Sequence, residues 1–250
     1  MNRSLSDAAR IIAKPASVLV FTGAGISVES GIPSFRGPGG LWEQYDPSFI
    51  EIDHFYAHPE QCWPKIKEVF YEHWGQAKPN AAHKALAAMQ KHGWVHTLVT
   101  QNIDALHQRA GSSGVIEFHG TLDQLVCTEC RFRGAPTKEL LAPSVPKCPS
   151  CGALLKPDFV FFGEGIPDEA QIAAFDAAEH VSSVIVVGTS GQVMPACYLP
   201  VEAKRHGAKV IEVNPSESAF TENGTTDIFL EGKATDILTR LLAEAEKFAV

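Results

Sequence analysis

The sequence predicts an α/β fold, a doubly wound parallel sheet carrying a smaller second unit. Three observations predict it. Short runs of branched and aromatic residues alternate with helical, alanine- and leucine-rich segments along most of the 250 residues. Glycines or small polar residues follow directly on several of those runs, where an open parallel sheet presents its ligand edge. Two stretches of different character break the rhythm, an aromatic-rich one at 38–79 and one holding two Cys-x-x-Cys pairs at 121–156. A chain of this length buries a large core as one sizeable domain with a small insert.

Taken in order, residues 5–14 read as a helix, with Leu5, Ala8, Ala9 and Ile12 on one face and Pro15 beyond its end. The run Ala16–Phe21 reads as a fully buried strand, and TGAGISVESGIPSFRG follows it from Thr22 to Gly37. Gly23 and Gly25 are expected to let the main chain approach a ligand closely. A helix starting there would aim unpaired N–H groups at a pyrophosphate. The third glycine of a dinucleotide fingerprint is missing, since Val28 stands in its place. A second corner, Gly31-Ile32-Pro33, leads to Phe35 and Arg36, which suggests a lid over a cofactor.

Residues 38–79 carry Trp42, Tyr45, Phe49, Phe55, Tyr56, Trp63, Phe70, Tyr71 and Trp74, and read as an inserted helical layer whose aromatics pack. Asn80 is a good N-cap for a helix at 81–92 that stops at Gly93. Strand 95–99 ends in Thr100-Gln101-Asn102-Ile103-Asp104, and the short strand 115–118 runs into His119. Beyond the cysteine-bearing insert, Pro157–Glu164 is an apolar extended segment with an edge available to pair with a peptide. A helix at 168–180 precedes strand 183–187, which ends in the small-residue turn Gly188-Thr189-Ser190-Gly191. A helix at 200–206, strand 209–213 with Asn214 after it, strand 227–230 and a last helix at 234–248 complete the alternation.

The formal net charge of −8 argues against a non-specific nucleic-acid binder, which needs a concentrated basic face, and suits basic, lysine-bearing partners. MNRSLSDAAR has no apolar core of a signal peptide and no run approaches 18 apolar residues, so the expected location is cytoplasmic. Cys127, Cys130, Cys148 and Cys151 form two pairs separated by 17 residues, the spacing of a zinc ribbon. Four thiolates leave a tetrahedral zinc no open position, so the expected metal is structural. Cys62 and Cys197 have no partner pattern and read as ordinary buried thiols.

Together, GAGISVESGIPSFRG, TQNIDALH, HG, the two cysteine pairs, PDFVFFGE, GTS and VN closely resemble the sirtuin family over nearly the whole chain. The likeness is greatest to its compact bacterial and archaeal members. It implies a large Rossmann-like domain (1–37, 80–120 and 157–250) and a small domain made of the helical layer (38–79) and the zinc ribbon (121–156). It also implies NAD-dependent removal of acyl groups from protein lysines, with NAD consumed as co-substrate.

Residue by residue, the resemblance puts Gly23, Ala24, Gly25, Phe35 and Arg36 at the cofactor turn and pocket. Gln101, Asn102, Ile103 and Asp104 surround the nicotinamide and its ribose. Gly188, Thr189, Ser190 and Asn214 hold the adenosine half, with Thr235 or its neighbour Ala234 beside the adenine. His119 is the general base, and Asn102 and Asp104 are counted with it as catalytic. Val160, Phe162, Gly163, Glu164 and, across the slot, Val193 hold the acyl-lysine peptide.

The chemistry asks for these types. Nicotinamide leaves as a neutral ring, so the anomeric carbon develops oxocarbenium character. A weak acyl-oxygen nucleophile must be held against that carbon, and water kept out. Asp104 suits the nicotinamide carboxamide, and a neutral histidine can accept a ribose hydroxyl proton. The products are free lysine, nicotinamide and acylated ADP-ribose.

Rival readings are a mono-ADP-ribosyltransferase on the same fold and a non-enzymatic zinc-ribbon adaptor. An ordinary NAD dehydrogenase is disfavoured by the missing Tyr-x-x-x-Lys pair and by the lack of a G-x-G-x-x-G with an acidic residue about 20 positions past it. Succinyl-preferring sirtuins carry a tyrosine with an arginine three residues on. Here Ser48, Pro59 and Trp74 follow Tyr45, Tyr56 and Tyr71, and no arginine stands between Arg36 and Arg109. Lys65 and Lys67 are the substitutes to consider. Neutral acyl groups are therefore expected as substrates.

Overall fold

Strict alternation of side chains sorts each central strand into two cores. In β1 (Val18–Thr22), Val18 and Val20 face one helical layer while Leu19 and Phe21 face the other. Strand β7 (Ser183–Val187) divides the same way, with Ile185 and Val187 against Val184 and Val186. The computed structural model describes residues 2–14, 17–35 and 39–248. Pro15, Ala16, Arg36 and Gly37 lie outside them, so the expectations placed on those residues do too.

The main sheet has six parallel strands in the order β3 (Val115–Glu117), β2 (Val95–Thr100), β1, β7, β8 (Lys209–Asn214) and β9 (Ile228–Glu231). Helices Asn2–Ile12, Ala81–Lys91 and Ala234–Ala245 cover one face, and Asp168–His180 and Tyr198–Arg205 the other. This is the Rossmann-like doubly wound sheet. Strand order reverses between β1 and β7, and such a switch point opens a crevice at the strands' carboxyl ends. The helix at 81–91 starts where expected: Asn80 Oδ1 accepts from the Ala82 and His83 N–H groups, and the His83 ring closes a capping box.

A third core joins the two inserts. The residues after Gly40 fold into short helical turns and the helix Pro59–Ile66, continued by a π-helical stretch, Lys67–His73. Phe55, Trp63, Phe70 and Trp74 pack there against Leu125, Cys148, Leu155, Phe159 and Phe161. The Trp63 indole donates to the Leu155 carbonyl at 3.1 Å, which ties the helical layer to the ribbon. The ribbon is a three-stranded antiparallel sheet, β5 (Arg133–Gly134), β4 (Gly120–Cys127) and β6 (Leu155–Phe159).

The extended segment expected at 157–164 thus divides. Its first part is β6, and from Val160 it leaves the ribbon. There the Phe162 N–H donates to Ile50 O and the Phe162 carbonyl accepts from Ile52 N–H.

Candidate active site

The crevice begins where β1 and β7 end together. Gly23 N–H donates to Val187 O at 2.9 Å and Gly25 N–H to Gly188 O at 2.8 Å. A Cβ on Gly25 would lie 2.6 Å from Gly188 Cα, and one on Gly188, whose φ is +62°, 2.5 Å from Ile26 N. Gly23 and Gly25 line the crevice, and the close approach of their backbones to this turn is a second reason for them to lack a side chain. Their bare backbones pack against the Gly188 turn, and the ligand side is shaped by what that packing holds still. The expected α-helix does not start here. Ala24–Ile26 and Val28–Ser30 are single 3₁₀ turns, too short to carry the helix-end anion site expected from the sequence.

A cleft of about 1050 Å³ opens above these turns. Gly23, Ala24, Gly25 and Phe35 line it from the first turn, Gln101, Asn102 and Ile103 from the end of β2, and His119 from the start of the ribbon. Gly188, Thr189, Ser190 and Asn214 line the far side. Val160, Phe162, Gly163 and Glu164 form one lip and Val193 the other. The structure thus brings together residues drawn from across the chain. Asp104 and Thr235 are not among the lining residues, and Arg36 lies outside the described ones.

His119 is half-buried, with its Nδ1 3.0 Å from the Gln101 carbonyl. A carbonyl oxygen only accepts, so Nδ1 carries the proton and Nε2 is left with the lone pair. Burial lowers the imidazole's pKa, and the Gln101 bond opposes it only partly. A neutral ring is thus held at ordinary pH. The His119 backbone is fixed as well, because its carbonyl accepts from Val160 N–H at 2.8 Å.

Asp104 sits beneath the cleft in a buried polar network. Ser27 Oγ donates to its Oδ2 at 2.7 Å and Leu106 N–H to its Oδ1 at 2.9 Å. Burial raises the Asp104 pKa against the pull of those two bonds. Ser27 Oγ also accepts from Asn102 Nδ2 at 3.2 Å and lies 3.4 Å from His83 Nε2. The serine therefore fixes the Asn102 side chain and the Asp104 carboxyl at once. His107 Nε2 is 2.9 Å from Thr22 Oγ1, and its ring stands 4.9 Å from that of His83. Burial drives His83 down to about 4; burial and then the neighbouring His83 drive His107 down to about 3.

Other side chains hold the walls. Glu164 lines the cleft, yet its Oε2 accepts from Phe161 N–H at 2.7 Å and pairs with the buried Lys156 ammonium at 2.9 Å. Lys156 also donates to the Phe159 carbonyl at 2.7 Å and lies over the Phe161 ring. It thereby clamps the turn that leads into Val160–Gly163. Thr235 Oγ1 donates to Glu29 at 2.6 Å, and Glu29 itself lines the cleft.

In the ribbon, the four cysteine sulfurs lie within 4.8 Å of one another, with contacts of 3.5 Å (Cys127–Cys151) and 3.6 Å (Cys130–Cys148). A tetrahedral zinc with Zn–S near 2.3 Å needs sulfurs about 3.8 Å apart, so the set fits. Backbone N–H groups of Glu129 and Cys130 point at Cys127 Sγ, as a metal-bound thiolate requires.

Comparison with known proteins agrees with this geometry. Residues 23–195 match the model of the Sir2 family. The chain belongs to the Sir2 family. An NAD-dependent protein deacylase of Pyrococcus furiosus is 41% identical, covering 98% of this chain and 99% of that one. A solved Sir2 homolog–NAD complex is 38% identical with a TM-score of 0.88, covering 97% and 94% of the two chains. A Sir2 complex with a p53 peptide and NAD⁺ is 37% identical with a TM-score of 0.85, covering 95% and 96%.

As a Sir2 protein, the chain has a cleft that fits NAD: it is large enough for a dinucleotide and pairs amide and hydroxyl groups with one lone-pair imidazole. Sequence reasoning missed Ser27 as a hub, His83, His107 and Lys156. For Ser27 and His107 no local signal exists, because their partners lie 75 residues away at Asn102 and 85 at Thr22. The partners of Lys156 are near in sequence, but a lysine in an apolar run gives no sign that it will be buried.

Proposed function

We propose that this Sir2 chain is an NAD-dependent protein-lysine deacetylase that transfers the acetyl group to ADP-ribose and releases nicotinamide. The observation that carries this reading is His119: Nδ1 tied to Gln101, and Nε2 bearing the lone pair in a residue that lines the cleft. NAD, when bound, supplies an anomeric carbon primed by a good leaving group.

Asn102 and Gln101 hold the ribose and nicotinamide end, Asn102 being fixed by Ser27. Asp104 acts from below, where its carboxyl is held by Ser27 and the Leu106 amide, and would serve the nicotinamide carboxamide from there. The strand from Val160 to Gly163, set by Lys156 and Glu164, pairs with the peptide, while Val193 closes the other side. Phe35, Phe70, Phe159 and Phe161 wall the slot and exclude water. His119 Nε2 would take the ribose hydroxyl proton and let that oxygen attack the acyl carbon. The C–N bond to lysine would then break to free the amine. One water, admitted after nicotinamide has left, would supply the remaining oxygen and protons of the products. Thr189, Ser190 and Asn214 hold the adenosine half, and Glu29 places Thr235 near the adenine.

The zinc is structural and keeps the ribbon's knuckles closed. The Rossmann-like part comprises 1–37, 80–120 and 157–250, and the small domain 38–79 and 121–156. The shared aromatic core of the two inserts supports their forming one small domain, and Phe159 and Phe161, at the end of β6 and just beyond it, carry that core past residue 156. No helix among the described residues is long and apolar enough to cross a membrane, and we take the enzyme to act on cytoplasmic acetyl-lysine proteins.

The test is product analysis. Nicotinamide and acetyl-ADP-ribose should form from NAD only when an acetyl-lysine peptide is present. Nicotinamide without deacetylation, with ADP-ribose on protein, would favour the transferase instead.

A further inference from the structure

Glu212 is a fully buried carboxylate in the middle of β8, and nothing above assigns it work. It accepts hydrogen bonds from Asn214 Nδ2 at 2.7 Å, Thr221 Oγ1 at 2.8 Å and Thr226 Oγ1. Burying a carboxylate is costly, and three donors aimed at one group are how a fold sustains it. The first donor matters most. Asn214 stands two residues on, so its side chain shares the Glu212 face of the strand, and it lines the cleft.

The second amide hydrogen of Asn214 is also used, donated to the Thr189 carbonyl at 3.1 Å. A carboxylate and a carbonyl both accept only. The group between them must be the NH₂, and the Asn214 oxygen Oδ1 is the atom left for a ligand.

We propose that Glu212 is a positioning residue for the cofactor's adenosine ribose, which locks Asn214 so that an acceptor faces the ribose hydroxyls and turns away a phosphate there. This rests on the NAD reading of the cleft. A hydroxyl can donate to Oδ1, whereas a phosphate brings further acceptors and negative charge. Glu217 and Glu222 line the cleft close by in the chain, and its one lysine among the described lining residues, Lys233, is paired with Glu29 at 3.8 Å. A 2′-phosphate therefore meets an acceptor backed by a buried carboxylate, and no unpaired cation stands among the described lining residues to offset it.

The experiment is calorimetric binding of ADP-ribose and of its 2′-phosphate to the zinc-loaded full chain. Glu212→Gln should weaken ADP-ribose binding about 5- to 10-fold, the worth of one well-placed neutral hydrogen bond. It should also narrow the preference for ADP-ribose over the 2′-phosphate. In an Asn214→Ala background the same change should have no further effect, because Glu212 acts through Asn214. Thr226→Val removes a Glu212 partner without touching Asn214 and should leave affinity unchanged.

Unaltered binding in Glu212→Gln, an additive loss in the double variant, or an equal loss in Thr226→Val would each overturn the proposal. Binding requires no acyl transfer. A wild-type chain that binds ADP-ribose in this pattern yet deacetylates nothing would sink the deacetylase reading and leave this one standing.

Discussion

His119 shows how one side chain receives its role from a neighbour's backbone. Any histidine has two ring nitrogens, and the Gln101 carbonyl decides which of them keeps the lone pair that the proposed base needs. His119→Ala should cut kcat/KM for an acetyl peptide about 10²- to 10⁴-fold, while NAD binding measured by calorimetry changes little. Turnover like that of the parent would remove His119 from the mechanism. The pH profile follows from the same residue. Burial lowers its pKa from 6.5, so the reactive neutral form persists on mild acidification. The acid limb of kcat/KM should therefore fall below pH 6.5, and a limb centred above 6.5 would contradict the assigned environment.

At the scale of elements, the glycine turn and the zinc knuckles are packing devices that the chemistry depends on. Gly188→Ala puts a Cβ at φ +62° against the Ile26 amide nitrogen, in backbone that cannot retreat. Left-handed strain and overpacking together should cost about 2–5 kcal/mol, read as a lowered denaturation midpoint with loss of NAD binding. Cys148→Ala should release zinc and abolish activity, because the ribbon and the helical layer share one core. Full activity in protein that metal analysis shows to be zinc-free would refute this.

The acyl slot belongs to the same scale. Its described walls are aromatic and aliphatic, and Lys67 is drawn away by the carbonyls of Pro143 and Ser144. A succinyl carboxylate would enter without a partner, at a cost of several kcal/mol. Acetyl peptides should exceed succinyl ones in kcat/KM by at least about 100-fold; a reversed ratio would reveal an unrecognised cation.

For the whole molecule, the buried histidines make stability depend on acid. His83 at about 4 and His107 at about 3 lie below the ordinary 6.5 of the unfolded chain. Between those values the unfolded state binds protons that the folded state refuses, so stability falls as pH drops from about 6.5 towards 3. Urea midpoints should decline steadily between pH 7 and pH 5, and a flat profile would argue against neutral buried rings. The net charge of −8 suits encounter with basic, lysine-bearing segments, and added salt should slow binding of a cationic acetyl peptide more than a neutral one.

By itself the sequence determined the strand–helix alternation, the Asn80 cap, the four-cysteine metal set and the residues that gather at the strand ends. Each is a local pattern of period, spacing or turn chemistry, and local patterns survive in one dimension. Only the tertiary structure decided that Gly23 and Gly25 also pack against the Gly188 turn, that no helix starts at Ala24, and that Glu164 clamps its own strand through Lys156. It alone placed Ser27 beside Asp104 and His83, and Glu212 behind Asn214. A buried hydrogen bond needs its partner within about 3 Å, whatever their separation along the chain. That distance is set by how the sheet and its inserts pack, which the order of residues encodes but does not display.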